Sequence, residues 1–369
     1  MRSEGVEALV YEFVTSVYLF YVLYGGSDLR LEEVPELSIK PGHLKVKVCW
    51  CGICGSDVHE YEDGPLVKDE NGKPVPSVMG HEFSGVVVEV GEGVKGWKLG
   101  DRLTAEGHIV CKDCYYCNRG EYTHCRSHRI FGVHGTPGAF AEYVVVDADF
   151  CHHLPDALSD ESAALVEPIA VGFHSLSAAG FRQGMTATVL GAGPIGLGVI
   201  ASLRAAGARL IIAVVRKSIR QEYAKRLGAD YVIDPTEVDA VEEIRRLTDG
   251  LGTDVSFETF GVDLGLDIGL ACIKSRGTCT VISLRFDRAS YEGFPLVEDE
   301  KRIVGANMYS HEDFETVIKM LTDGRIPADA FITKRISLDE LDREGFGTLL
   351  GPEKKKHVKI IVTPDPSLL

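Results

Sequence analysis

Along residues 28–150, apolar and polar positions alternate in short runs broken by glycine-rich turns. HLKVKVCW (43–50) alternates as a half-buried strand does. GVVVEVGEGVKGWKLGDRL (85–103) holds two such pieces joined by turns, and AFAEYVVVDADF (139–150) holds another. No long helical period interrupts them, so this part predicts a β-rich, barrel-like domain. The pattern changes near Ser159. SDESAALVEPIAVGFHSLSAAG (159–180) carries apolar residues at helical spacing, with Ser159 or Asp160 as the cap. MTATVLGAGPIGLGVIASLRAAGARLIIAVV (185–215) reads strand, glycine-rich turn, helix, strand. Helix RQEYAKRLGA, strand DYVID, helix EVDAVEEIRRLTD and strands TDVSFETF and GTCTVISL follow. Strands alternating with helices predict a parallel, doubly wound sheet. HVKIIVTP (357–364) is a strand again and is expected to return to the first domain. The predicted division is a β-rich domain of residues 1–160 with 310–369, and an α/β domain of residues 161–309.

Composition narrows the function. A chain of 369 residues is long for one domain and fits two. Its net charge of -16 opposes binding to nucleic acid or to anionic lipid. ALVYEFVTSVYLFYVLYGG (8–26) is aromatic and apolar, but it is short for a membrane span and broken by Glu12. It lacks the basic flank of an ordinary secretion signal. It reads as a buried strand with an added loop, or as translated intron. Seven of the 10 cysteines fall in two tight groups, which points to metal binding in a reducing compartment and a cytoplasmic protein.

VLGAGPIG places Gly191, Gly193 and Gly196 in a GxGxxG between a strand and a helix, the context that motif needs. Gly191 makes the turn, Gly193 admits a pyrophosphate close to the backbone, and Gly196 lets helix and strand pack. Pro194 and Ile195 open the helix whose N-terminus faces the phosphates. About twenty residues on, where a carboxylate would hold the ribose of NAD, the chain has Val215. Arg216, Lys217 and Arg220 follow. The cofactor is therefore NADP or NAD, with the basic run favouring NADP(H).

CKDCYYCNRGEYTHC spaces Cys111, Cys114, Cys117 and Cys125 as C-x2-C-x2-C-x7-C. Four thiolates so close favour a closed, tetrahedral structural zinc over an iron–sulfur cluster. A second group is more dispersed. WCGICGSDVHEYEDGP (50–65) offers Cys54, VMGHEFSG offers His81 and Glu82, and ALVEPIAVGFH offers Glu167. Cys54, His81 and Glu167 would suit a catalytic zinc with one open position, provided that the fold joins them.

GICGSDVH, GHEFSGVVVEVG, the four-cysteine loop, EPIAVGFH and VLGAGPIG together resemble the zinc-dependent medium-chain alcohol and polyol dehydrogenases. The resemblance covers about residues 28–366, and within the family it is strongest to the butanediol dehydrogenase branch. It implies a GroES-like catalytic domain and a Rossmann cofactor domain, with one catalytic and one structural zinc per chain. It also implies a homodimer or homotetramer. By the same resemblance Cys54, His81 and Glu167 are the zinc ligands, and Glu82 approaches the metal in some states. Asp57 orients His81, Ser56 and His59 form a proton relay, and Cys51 is not a ligand. The implied reaction is hydride transfer between NAD(P)(H) and a secondary alcohol or vicinal diol, 2,3-butanediol/acetoin foremost. A polyol dehydrogenase for sorbitol, xylitol or arabinitol would share every motif. A non-catalytic structural relative would be expected to have a broken Cys54, His81 and Glu167 set. Three departures from the family stand out: Val215 replaces the usual acid, the N-terminal aromatic run displaces the usual first strand, and VISLRF is bulky for a segment near a nicotinamide.

Overall fold

In the computed structural model, residues 17–285 and 287–369 are described. One sheet gathers strands from both ends of the chain. Its order is Cys151–His153, Arg102–Ala105, Glu82–Val90, His43–Gly52, Lys359–Thr363 and Ile332–Ser337, and Tyr143–Asp147 also pairs with His43–Gly52. The expected return of the C-terminal strand is found there: Ile361 lies opposite Gly52 and Val362 opposite Cys51, antiparallel. Alternation puts Leu44, Val46 and Val48 into the core with Phe83, Leu103 and Phe140.

The aromatic N-terminal run supplies a strand, Val17–Gly25, paired antiparallel with Asp28–Pro35 and with Ser77–Val78. Phe20 and Leu23 are buried, and the Tyr21 backbone N–H donates to Phe140 O at 3.0 Å. This part of the run is built into the fold. Residues 8–16 of the run lie outside the described residues.

The second sheet has six parallel strands in the order Tyr231–Ile233, Leu210–Val214, Thr186–Leu190, Thr253–Glu258, Ile273–Val281, Arg302–Gly305. Numbered within the domain, that is 3-2-1-4-5-6, the doubly wound order whose crevice opens where the direction reverses, between the first and fourth strands. Ser159 caps the first helical turn as expected, its hydroxyl accepting from the Ser162 N–H at 3.2 Å. The predicted helix over 159–180 is broken into Asp160–Ala163 and Val166–Ala178. Helix His311–Thr322 packs on Val166–Ala178, and its Phe314, Val317 and Leu321 join the core beneath the parallel sheet.

One element has no periodic signal. GSDVHEYED forms a helix, Gly55–Asp63, inside the β-rich domain. Among the described residues, no helix is long and apolar enough to cross a membrane.

Candidate functional site

Cys54 stands at the N-terminus of helix Gly55–Asp63, directly after strand His43–Gly52. His81 and Glu82 stand where strand Glu82–Val90 begins beside it, with Gly52 opposite Glu82. Glycine at 52 leaves room for the Glu82 carboxylate: a Cβ there would clash with Glu82 Oε2, which Lys359 holds in place. Antiparallel pairing thus joins segments far apart in sequence, and ligand atoms of Cys54, His81 and Glu82 lie within 4.8 Å of one another. Asp57 ties the two segments together. Its Oδ2 accepts from the Cys54 N–H at 2.9 Å and its Oδ1 from the Gly80 N–H at 3.3 Å.

Glu167 comes from another direction, on helix Val166–Ala178, and is not part of that 4.8 Å triad. Burial pushes its carboxyl up to about 7, while His81 pulls the other way. The buried Tyr309 side chain stands near it and acts to lower its pKa. Asp57 is fully buried and is likewise pushed up to about 6 by burial, against the pull of His81. For His81, burial acts downward, but Asp57, Cys54 and Glu167 outweigh it and hold the imidazole well above its usual range. His81 Nδ1 faces Asp57 Oδ1 at 3.7 Å and is buried without a hydrogen-bond partner.

Sequence reasoning missed the cation of this site. Lys359 lies in the returning strand, 2% exposed, and its Nζ donates to Glu82 Oε1 at 2.7 Å, to Oε2 at 2.6 Å and to Ile53 O at 2.9 Å. A lysine inside the apolar run VKIIV was the only available signal. Both oxygens of Glu82 are engaged by Lys359. Three carboxyls, Asp57, Glu82 and Glu167, and the Cys54 thiol therefore gather around one lysine and one histidine, and a dication suits this donor set. Ser56 is half-buried and His59 exposed, one turn apart on helix Gly55–Asp63.

The four cysteines are together as well. Sγ–Sγ separations are 3.5 Å for Cys111–Cys125, 3.6 Å for Cys114–Cys117 and 3.9 Å for Cys111–Cys117. These are far from disulfide length. They match the edge of roughly 3.8 Å that a tetrahedron with 2.3 Å zinc–sulfur bonds requires. All ten cysteines are free thiols.

At the crevice of the parallel sheet, Gly191 has φ +111°, and a Cβ there would strike Thr259 Oγ1 at 2.4 Å. Around Gly193 the space is open, with nothing within 4 Å of a would-be Cβ, at the cap of helix Pro194–Ala205. This open cradle at a helix N-terminus fits a dinucleotide pyrophosphate. Ile195 is half-buried in the helix's first turn. Val215 is buried just past the second strand, Arg216 is exposed, and Arg220 is half-buried. The Arg220 Nη2 reaches His357 O at 3.5 Å, while its Nε is buried without a partner. In the bulky VISLRF segment, Arg285 turns to Asp263 at 2.6 Å and to Asp287, and Leu284 is exposed.

A GroES-like barrel, a dinucleotide crevice and a thiolate–imidazole–carboxylate cluster define a zinc-type, nicotinamide-dependent oxidoreductase. Residues 40–156 match the alcohol dehydrogenase GroES-like domain family, and residues 194–323 match the zinc-binding dehydrogenase family. The chain is similar to the (R,R)-butanediol dehydrogenase of Bacillus subtilis, 40% identical over 349 residues, 93% of this chain and 98% of that one. The protein of the same name from Neisseria gonorrhoeae is 38% identical over 350 residues, 93% and 98% of the two chains. The crystal structure of the Bacillus subtilis 2R,3R-butanediol dehydrogenase superposes with a TM-score of 0.86 at 38% identity, covering 94% of this chain and 100% of that one. The protein belongs to the zinc-dependent medium-chain alcohol and polyol dehydrogenase family.

Proposed function

We propose that this enzyme interconverts a vicinal diol and its hydroxyketone, with 2,3-butanediol and acetoin as the first pair to test. The observation that carries the reading is similarity at 38% and 40% identity, over 93% of this chain, to two butanediol dehydrogenases, together with an intact Cys54, His81 and Glu167 set. In this reading Cys54, His81 and Glu167 hold the catalytic zinc, and Glu82 stands in reserve, clamped by Lys359. Bound there, zinc supplies Lewis acidity that lowers the pKa of an alcohol.

The chain's own residues do the rest. Asp57 fixes the Cys54 backbone and the segment before His81, so the donor atoms are set before substrate arrives. Ser56 takes the hydroxyl proton and His59 delivers it to solvent, a path supported by their one-turn spacing and rising exposure. Gly191, Gly193, Pro194, Ile195 and Gly196 seat the cofactor pyrophosphate so that its nicotinamide reaches the substrate carbon. At the far end the neutral Val215 neither holds a free ribose hydroxyl nor repels a phosphate, and Arg216 is free to meet one. We assign NADP(H) as the preferred cofactor on that basis. Cys111, Cys114, Cys117 and Cys125 hold a structural zinc.

Steady-state rates on 2,3-butanediol, acetoin, sorbitol and xylitol, each with NAD(H) and NADP(H), test the proposal. Highest kcat/KM on the butanediol–acetoin pair supports it. Highest kcat/KM on sorbitol or xylitol replaces it with a polyol dehydrogenase.

A further inference from the structure

Away from both cysteine sites, Glu106, His152 and His311 converge. Glu106 follows strand Arg102–Ala105 and is buried. His152 lies in the neighbouring strand Cys151–His153, paired with Thr104. His311 opens helix His311–Thr322, which packs with the core under the other sheet. Glu106 Oε1 is 2.8 Å from His152 Nε2 and 2.8 Å from His311 Nδ1, and the three donor atoms lie within 4.8 Å of one another. The two imidazoles lie 4.2 Å apart, tilted by 32°.

We infer that Glu106, His152 and His311 form a third cation site, for a divalent first-row transition metal such as zinc, joining the first helix turn of His311–Thr322 to the catalytic barrel. Two imidazole nitrogens and one carboxylate oxygen are the donor types such ions take. Two further features are those of a built metal site. Glu106 Oε2 accepts from the Tyr122 hydroxyl at 2.7 Å, which fixes the carboxylate plane. His311 Nε2 stands 3.7 Å from Glu315 Oε1, which places a carboxylate within ion-pair reach on the far side of the ring, a position from which it can come to orient a ligand histidine. A cavity of about 480 Å3 lined by His152, His311 and Glu315 opens onto the cluster, giving an ion a way in and a water a fourth position. Hydrogen bonding alone accounts for each contact singly. It does not call for two imidazoles from a cavity wall both aimed at one buried oxygen.

The test counts metal on the full-length enzyme equilibrated with zinc buffered at micromolar free concentration, comparing wild type, His311→Ala, His152→Gln and Glu315→Gln. We expect wild type to hold one zinc per chain more than His311→Ala and His152→Gln. We expect Glu315→Gln to retain the extra zinc with affinity lowered about tenfold, as loss of an outer partner gives. The comparison is a difference between variants, so it holds whatever the cysteine sites contain. His311 is half exposed at a helix start, so its variant is expected to fold, as circular dichroism would check. Equal zinc content in wild type and His311→Ala at that concentration overturns the inference.

Discussion

Replacing Lys359 with Met removes the only lysine or arginine bonded to Glu82 among the described residues, while keeping most of the side-chain volume. Glu82 is wholly buried, and Lys359 satisfies both of its oxygens as well as the Ile53 carbonyl. Cutting one partner out of a buried ion pair leaves an uncompensated charge and costs about 3–5 kcal/mol. The abandoned Ile53 carbonyl adds about 1 kcal/mol. For a domain of this size each kcal/mol lowers the midpoint by roughly 2–4 °C, so the barrel should melt roughly 8–24 °C earlier. The assay is thermal unfolding of the zinc-loaded enzyme followed by tryptophan fluorescence, because Trp50 and Trp97 both lie in this domain. Lys359→Met with Glu82→Gln should recover more than half of the loss, since neutral partners end the charge imbalance. A single variant within about 1 kcal/mol of wild type, or a double variant no better than the single, refutes the reasoning.

Cys54→Ser should lose one zinc per chain and about 10³-fold or more in kcat with an unchanged far-ultraviolet spectrum. Cys114→Ser should lose the structural zinc together with solubility, because the loop has few apolar residues of its own; metal analysis and thermal scans separate the two cases. Arg216→Ala should lower kcat/KM for NADP(H) about tenfold, one charge-assisted hydrogen bond's worth, and leave NAD(H) unchanged. Asp313 is desolvated, but the His174 ring and the Ser310 N–H and hydroxyl outweigh that and hold its carboxyl below the usual range. A depressed folded pKa contributes stability above the unfolded value of about 3.9 and loses it as pH falls through the folded one. The melting difference between wild type and Asp313→Asn, about 1–3 kcal/mol, should be constant above about pH 5 and shrink in acid.

Much of this molecule was legible because local signals and global packing agree. Five of the six parallel strands, the GxGxxG turn and the four-cysteine loop each carry their signal in one short stretch, so period, glycine spacing and thiol spacing suffice; the edge strand Arg302–Gly305, only four residues long, was not read. The helix Gly55–Asp63 was not legible. Its sequence has only Val58 and Tyr61 as apolar residues, and Asp57 and Glu60 are buried by the site instead of turned to solvent. The aromatic run was legible in part: of the two readings given it, the buried strand holds for Val17–Gly25, where pairing with Ser77–Val78 and the Phe140 backbone covers Phe20, Tyr21 and Leu23.

The cation was missed for a more general reason. Buried charge is decided by what the chain brings from elsewhere, and Lys359 arrives from a strand 277 residues beyond Glu82. The same holds for Tyr309, whose hydroxyl accepts from Gly107 N–H at 2.9 Å and whose buried side chain stands near Glu167. Gly107 adjoins Glu106, and Glu167 adjoins the cluster at His81. One buried tyrosine therefore lies between the backbone beside the Glu106, His152 and His311 group and a carboxylate of the catalytic site. A single buried side chain brought from residue 309 thus satisfies a backbone group at residue 107, a pairing that no local pattern in the sequence announces.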